Sequence, residues 1–195
     1  MSVLPDHEIR ALGAALIDPF DPERVQPASY DLALADEILI PRSGIYVPDP
    51  PDIDLRSYDM DAYMIRSRLL ALDGHRYAEH TKDGYILRPG RCILASTTET
   101  LRVPSDLVAR VEGKSSIGRL FLTAHVTAGF IDSGFRGQVT LEICNLGPWR
   151  VLLRPSMKIA QVNFTRLSSS CERPYGSPGL GNHYQNQYGP TAGKS

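Results

Sequence analysis

A mainly β chain, folded as a sandwich or barrel, is what this sequence predicts, and three observations carry the expectation. From Tyr85 onward, short runs rich in Ile, Val, Leu and Thr are separated by turn signals at Pro89-Gly90, Pro104-Ser105, Gly113, Gly134, Gly147-Pro148 and Arg154-Pro155. In one run Val139, Leu141 and Ile143 alternate with Thr140, Glu142 and Cys144, the period of two of a strand with one apolar face. Strands at such spacing form sandwiches or barrels, and 195 residues suffice for one domain with a sizeable core.

Taken in order, Ile9, Leu12 and Leu16 recur at helical spacing after Pro5 and Asp6. This predicts a short N-terminal helix with Asp6 as its cap, weakened by Gly13. Residues 17–34, rich in Pro and Asp, predict a loop leading into a short strand. Residues 41–83 read as a helical or irregular insertion over the sheet. Pro48, Pro50 and Pro51 exclude regular structure locally. Tyr63, Leu69, Leu70 and Leu72 give residues 61–72 a weak helical spacing. After Leu167 the composition shifts to Ser, Gly, Pro, Asn, Gln and Tyr, with too few aliphatics for a core element. A single domain over 1–195, with residues 168–195 as a disordered tail or a lid, is the predicted organisation.

Several function classes fall away at this level. Charged content of 22% and hydrophobic content of 42% are those of an ordinary soluble chain. A net charge of −1 provides no electrostatic footprint for nucleic acid. No apolar run approaches the roughly 18 residues of a membrane span. Pro5, Asp6 and Glu8 break the N-terminus, so it does not read as a secretory signal. Cys92, Cys144 and Cys171 are odd in number with no paired spacing, which predicts reduced thiols and a cytoplasmic setting. Zinc deaminases combine His-x-Glu with Pro-Cys-x-x-Cys. Neither pattern occurs, and the five histidines are scattered, so no zinc site is expected.

The chemistry is concentrated between Gly113 and Asn145. Lys114-Ser115-Ser116, followed by Arg119, offers cations and hydroxyls to a polyphosphate, though it lacks Walker A spacing. A Lys-Ser-Ser turn is also an ordinary solvated loop. Gly193-Lys194-Ser195 at the end of the chain echoes a phosphate loop without a helix to follow it. Glu142 lies mid-strand opposite the aliphatic trio, as either a solvent-facing edge residue or a general base. Asp132, before Ser133-Gly134, is either turn chemistry or a carboxylate for a sugar hydroxyl or a water. Phe130 and Phe135 read as core or as ligand stackers, and His125 as a core or interface histidine. Tyr175, His183, Tyr184, Gln187 and Tyr188 form a set suited to a lid or to a disordered tail.

In combination these motifs strongly resemble the dCTP deaminase branch of the trimeric dUTPase superfamily. The resemblance rests on Glu112-Gly-Lys-Ser-Ser-Ile-Gly-Arg119, Thr127-Ala-Gly-Phe-Ile-Asp132, Gly137-Gln-Val-Thr-Leu-Glu142 and Tyr184-Gln-Asn-Gln187. Ile17-Asp-Pro-Phe20 and Val25-Gln-Pro-Ala-Ser-Tyr-Asp31 extend it to most of the chain, leaving about 45–83 outside. It implies a distorted β-barrel or jelly roll of the dUTPase-like type, in a homotrimer with sites between subunits and a tail closing over the nucleotide. It also implies zinc-independent deamination of dCTP. Glu142 matches the glutamate that activates water for attack on cytosine C4, Ser115 the serine that positions this water, and Arg119 the nearby arginine. Lys114 and Ser116 stand in the loop that meets phosphates. Ala128 lies beside the base, with Phe130 next in the chain but one, and Gln187 matches a tail contact to the triphosphate. Tyr175 and His183 belong to the same tail. Magnesium would be held through substrate phosphates and water.

Two branches exist, one releasing dUTP and one that also hydrolyses the triphosphate to dUMP and pyrophosphate. The deaminase-only type has His-Arg after Thr-Ala, where this chain has Gly129-Phe130. Gln161 in Ile159-Ala-Gln-Val162 resembles the dUTPase pattern, and simple dUTPases place an aliphatic residue where Glu142 stands. Keeping Asp132 and Glu142 together therefore points to coupled deamination and hydrolysis, with dCTP as substrate, dUTP as a possible further ligand and dTTP as a possible inhibitor. A deaminase releasing dUTP, a plain dUTPase and a non-catalytic nucleotide-binding trimer are the alternatives. Three positions depart from the family: Ser133 for a common proline, Phe121 for a common glycine, and His183 for a usual phosphate-binding lysine.

Overall fold

The computed structural model describes residues 2–42, 53, 56–70 and 79–193. Helix α1 (Asp6–Leu12) buries Ile9 and stops at Gly13, whose φ of 42° suits a residue without a Cβ. The cap differs from the sequence expectation. Pro5 occupies the cap position with no side-chain cap, and Asp6 lies in the first turn with Glu8. Their charges complement the helix dipole there.

The remaining elements are β1 (Ile17–Asp18), β2 (Val25–Gln26), β3 (Ser29–Pro41), β4 (Met64–Arg68), β5 (His80–Thr81), β6 (Gly84–Leu87), β7 (Cys92–Arg102), β8 (Leu107–Gly113), α2 (Ser115–Gly118), β9 (Phe130–Ile131), β10 (Arg136–Cys144), β11 (Val151–Leu153) and β12 (Lys158–Arg166). The larger sheet runs β1-β7-β3-β12-β8-β9, with β10 on β7 and with β2 and β4 on β3. A smaller sheet runs β11-β6-β5.

Strand β3 is the hub. Its N-terminal half pairs with β2 and β12, its C-terminal half with β4 and β7, and its register against β7 breaks between Leu34 and Ile38. A strand that changes partners through an irregularity bends the sheet, and the product is a curled half-barrel. The concave core takes Leu32, Leu34 and Ile38 from β3, Ala95 and Leu101 from β7, Leu141 and Ile143 from β10, and Val162 and Phe164 from β12. Each large apolar side chain so buried contributes about 1.5–3 kcal/mol.

Three further sequence expectations need correction. The strand expected to be short, β3, is thirteen residues long; pairing on both sides sustains it where composition alone suggested a loop. Over the described residues 61–70 the weak helical spacing does not give an α-helix. A 3-10 turn at Met60–Tyr63 leads into β4, which joins β3 from Glu37↔Arg68 to Pro41↔Met64. Edge pairing overrides a pattern too weak to specify a helix. Pro48, Pro50, Pro51 and Leu72 lie outside the described residues. Finally, Cys92 and Cys144 face each other across β7 and β10 and form a disulfide, so two of the three cysteines are not free thiols. They are 52 residues apart, and only the strand register brings them together. Cys171 remains a free cysteine.

Candidate active site

The first group of site residues gathers where β8 runs into α2. Lys114 is the cap residue of this single turn, in extended conformation, and Ser115 and Ser116 follow it. Together with Ser29, Gly113, Gly118, Gln26, Pro27 and Gln161 they line a cleft of about 590 Å³. Gln161 reaches it from β12: its Oε1 accepts from Ser29 Oγ at 3.1 Å, and its Nε2 donates to the Gly113 carbonyl at 3.2 Å. Beneath Lys114 lies Asp31, buried at 3% exposure, whose carboxylate pairs with the Lys114 ammonium. Sequence reasoning missed Asp31 and Ser29 as site residues. Their alternation on β3, at the end of Val25-Gln-Pro-Ala-Ser-Tyr-Asp31, was the available signal.

The second group surrounds Glu142. Strand parity puts Leu141 and Ile143 into the core at 0% exposure and turns Glu142 to the opposite face, half-buried and across from Leu94 of β7. The segment after α2 folds over this face. Thr123 Oγ1 donates to the Glu142 carbonyl at 3.1 Å and accepts from the Cys144 N–H, while the Thr123 N–H binds the Cys144 carbonyl. The Val126 N–H then donates to Glu142 Oε2 at 3.0 Å. One carboxylate oxygen is thereby fixed, and Oε1 has no hydrogen-bond partner among the described residues. An anchored carboxylate with one free oxygen can hold a water and take its proton.

The segment from Val126 to Gly134, which includes β9, joins the two groups in sequence. Ala128, Phe130 and Asp132 are exposed, Phe130 at 53% beneath the Arg110 guanidinium. Gly129 packs between Val111 and the His125 ring, and a Cβ there would lie 2.6 Å from the Val111 carbonyl oxygen. This loop path therefore requires glycine. Ser133 is buried, and its hydroxyl binds the Leu107 carbonyl, a donor that proline in its place would lack. Phe121 holds φ at 60° and stacks on Trp149. A glycine would adopt that conformation without strain.

The tail bonds to Ser105 and Ser133 through Cys171 and Tyr175, and from Gln185 to Thr191 it runs along β10. The Asn186 N–H binds the Arg136 carbonyl, the Gln138 N–H binds the Gln187 carbonyl, and Gln187 bridges Gly137 in parallel. Gly137, at φ 154°, permits this approach: a Cβ would sit 3.1 Å from the Gln187 backbone. Gln187 Nε2 donates to the Gln138 carbonyl at 2.6 Å, Tyr175 packs edge-on against Phe135, and His183 is exposed. None of the three lines the Lys114 cleft. Ser115 and Arg119 are likewise exposed, and among the described residues no hydrogen bond or ion pair joins either to Glu142. One chain thus presents the expected residues as separate clusters.

The sequence model of the dCTP deaminase-like family matches residues 3–167. The chain belongs to this family. Among its relatives, proteins named dCTP deaminase, dUMP-forming, from Beutenbergia cavernae and Streptomyces coelicolor are 43% and 44% identical over 99% of this chain, and cover 94% and 95% of their own. One of the same name from Methanothermobacter thermautotrophicus is 41% identical over 100% of this chain and 94% of its own. Among solved structures, a 2'-deoxycytidine 5'-triphosphate deaminase from Agrobacterium tumefaciens superposes with a TM-score of 0.60 at 26% identity, covering 83% of this chain and 46% of that one. The family match thus spans both clusters of candidate residues and stops short of the tail. No helix among the described residues is long and apolar enough to cross a membrane.

Proposed function

We propose that this chain deaminates dCTP at cytosine C4 and cleaves the α–β phosphate bond, so that dCTP and two waters yield dUMP, pyrophosphate and ammonia. The observation that carries the reading is Glu142, held by the Val126 N–H on the polar face of β10 with one oxygen free. That oxygen takes a proton from the attacking water and delivers it to the C4 amino group, which departs as ammonia. Ser115 positions the water, and Arg119 stabilises charge beside it. Lys114, Ser116 and Gln161 hold the triphosphate in the cleft beside α2. The backbone at Ala128 and the Phe130 ring meet the pyrimidine, and Asp132 serves the sugar or the hydrolytic water.

The dUMP-forming branch is supported by Gly129, whose packing against Val111 leaves no room for a side chain in this loop path, and by the names of the relatives. Magnesium fits as a cation carried by phosphate oxygens and water, because the carboxylate beside the cleft, Asp31, already pairs with Lys114. It would neutralise the phosphates during hydrolysis. The separation of Ser115 and Arg119 from Glu142 in one chain favours a homotrimer in which neighbouring subunits complete each site, with Tyr175, His183 and Gln187 of the tail closing on the nucleotide. dUTP and dTTP, which share the deoxyribose triphosphate, are ligands of the same site, dTTP as an inhibitor. A cytoplasmic setting follows from the nucleotide substrate, since the Cys92–Cys144 pair removes the argument from thiols.

The test is a time course with purified protein, dCTP and Mg²⁺, resolving dUMP, dUTP and pyrophosphate. dUMP and pyrophosphate should rise together without a dUTP phase. Stoichiometric dUTP without pyrophosphate would instead place the chain in the deaminase-only branch, and binding without turnover would mark a nucleotide-binding regulator.

A further inference from the structure

Two ammonium groups converge on one buried carboxylate beside the cleft. Asp31 lies directly opposite Gln161 in the β3–β12 register, so the two share a face of the sheet. Its Oδ1 receives the Lys114 ammonium, and Lys158 Nζ stands 3.4 Å from Oδ2. The two lysines come from different elements, the turn after β8 and the first residue of β12. Lys158 remains 47% exposed while its tip is drawn inward. A carboxylate this deeply buried is costly unless paired, and one partner would neutralise it. The second lysine leaves the cluster with a net positive charge, which a polyanion in the adjoining cleft would neutralise.

We infer that Asp31 is a positioning residue that clamps Lys114 and Lys158 together, and that Lys158 is a second phosphate-binding cation of the substrate cleft. The inference rests on the triphosphate reading of this cleft. It deepens that reading by adding a residue outside the quoted motifs, and by giving buried Asp31 a task that is exerted only through the lysines.

Inorganic tripolyphosphate separates the clamp from the chemistry, since it tests the anion site without a base to deaminate. Its binding to the full chain is measured by calorimetry, beside kcat and KM for dCTP, on the wild type and on Lys158→Gln, Lys158→Arg and Asp31→Asn. Lys158→Gln should weaken tripolyphosphate binding and raise KM by about tenfold each, the loss of one charge-assisted contact. Its kcat for ammonia release should stay within about twofold, because the chemistry at C4 is remote from the phosphates. Lys158→Arg, which keeps the charge, should restore most of the loss. Asp31→Asn should weaken binding likewise, as the freed ammoniums swing apart. Wild-type affinity and KM in Lys158→Gln would overturn the second-cation role, and this exposed position is not at risk of unfolding the chain. Tighter binding by Asp31→Asn would show the carboxylate competing with phosphate and overturn the clamp. If the wild type bound tripolyphosphate with the stated pattern but did not turn over dCTP, the proposed reaction would fail and the clamp would stand.

Discussion

Glu142 owes its orientation to its parity on β10 and its anchoring to a backbone N–H from a segment 16 residues earlier. Replacing it by Gln keeps the shape and removes the base. Glu142→Gln should still bind dCTP, while ammonia release falls by roughly 10²-fold or more; near-normal release would end the assignment. Asp132 bears on the other half of the reaction, and Asp132→Asn should impair pyrophosphate release strongly in the same time course. A different residue sets a pH limit on stability. Burial pushes the Tyr85 phenol up from 10.0 to about 12, with the nearby Glu79 charge adding to it. The folded state therefore holds this proton more tightly than the unfolded chain. Its contribution is fully present below pH 10 and is lost as pH rises through about 12. In urea titrations across that range, wild type should lose on the order of 2–3 kcal/mol more than Tyr85→Phe. Parallel curves would show that Tyr85 is not the group responsible.

At the scale of elements, the tail is held by polar contacts more than by apolar burial. Backbone bonds from Asn186 and Gln187, and the Gln138 side chain accepting from the Gly189 N–H, lay it along β10. The barrel core draws its large side chains from β3, β7, β10 and β12, with Tyr175 and Tyr184 of the tail only packed against it. Deleting residues after Pro174 should therefore leave a cooperatively folded barrel, as followed by circular dichroism, while dCTP turnover drops sharply. A truncated chain that turns over dCTP like the intact one would remove the tail from the site. The sequence made this segment legible as non-core, because aliphatics are sparse. It could not supply the docking partner, because an amide-rich chain can pair with any free strand edge.

At the scale of the molecule, several residues proposed to touch substrate lie open to solvent in a single chain. Ser115, Arg119, Ala128, Phe130 and Asp132 are all exposed, as are Leu120, Phe121, Leu146 and Trp149 nearby in sequence or by ring contact. Exposed apolar side chains in such numbers mark surfaces that meet another molecule. Light scattering should give about three times the 21.5 kDa chain mass, and mixing Glu142→Gln with Ser115→Ala chains should restore part of the activity if sites are shared. A strictly monomeric and fully active protein would refute the assembly.

Local rules in the sequence determined the β character from Tyr85 onward, the short opening helix, the placement of Glu142 opposite Leu141 and Ile143, and the motif that lines the cleft. Each depends on period, turn chemistry or residue type within a few positions. Tertiary structure decided what depends on distant partners. It made β3 long by pairing it on both sides, turned a weakly helical stretch into the edge strand β4, and set Cys92 opposite Cys144. It also placed Asp31 under Lys114, 83 residues away in the chain. Strand register fixes such meetings, and register is a property of the whole sheet, which no window of sequence contains.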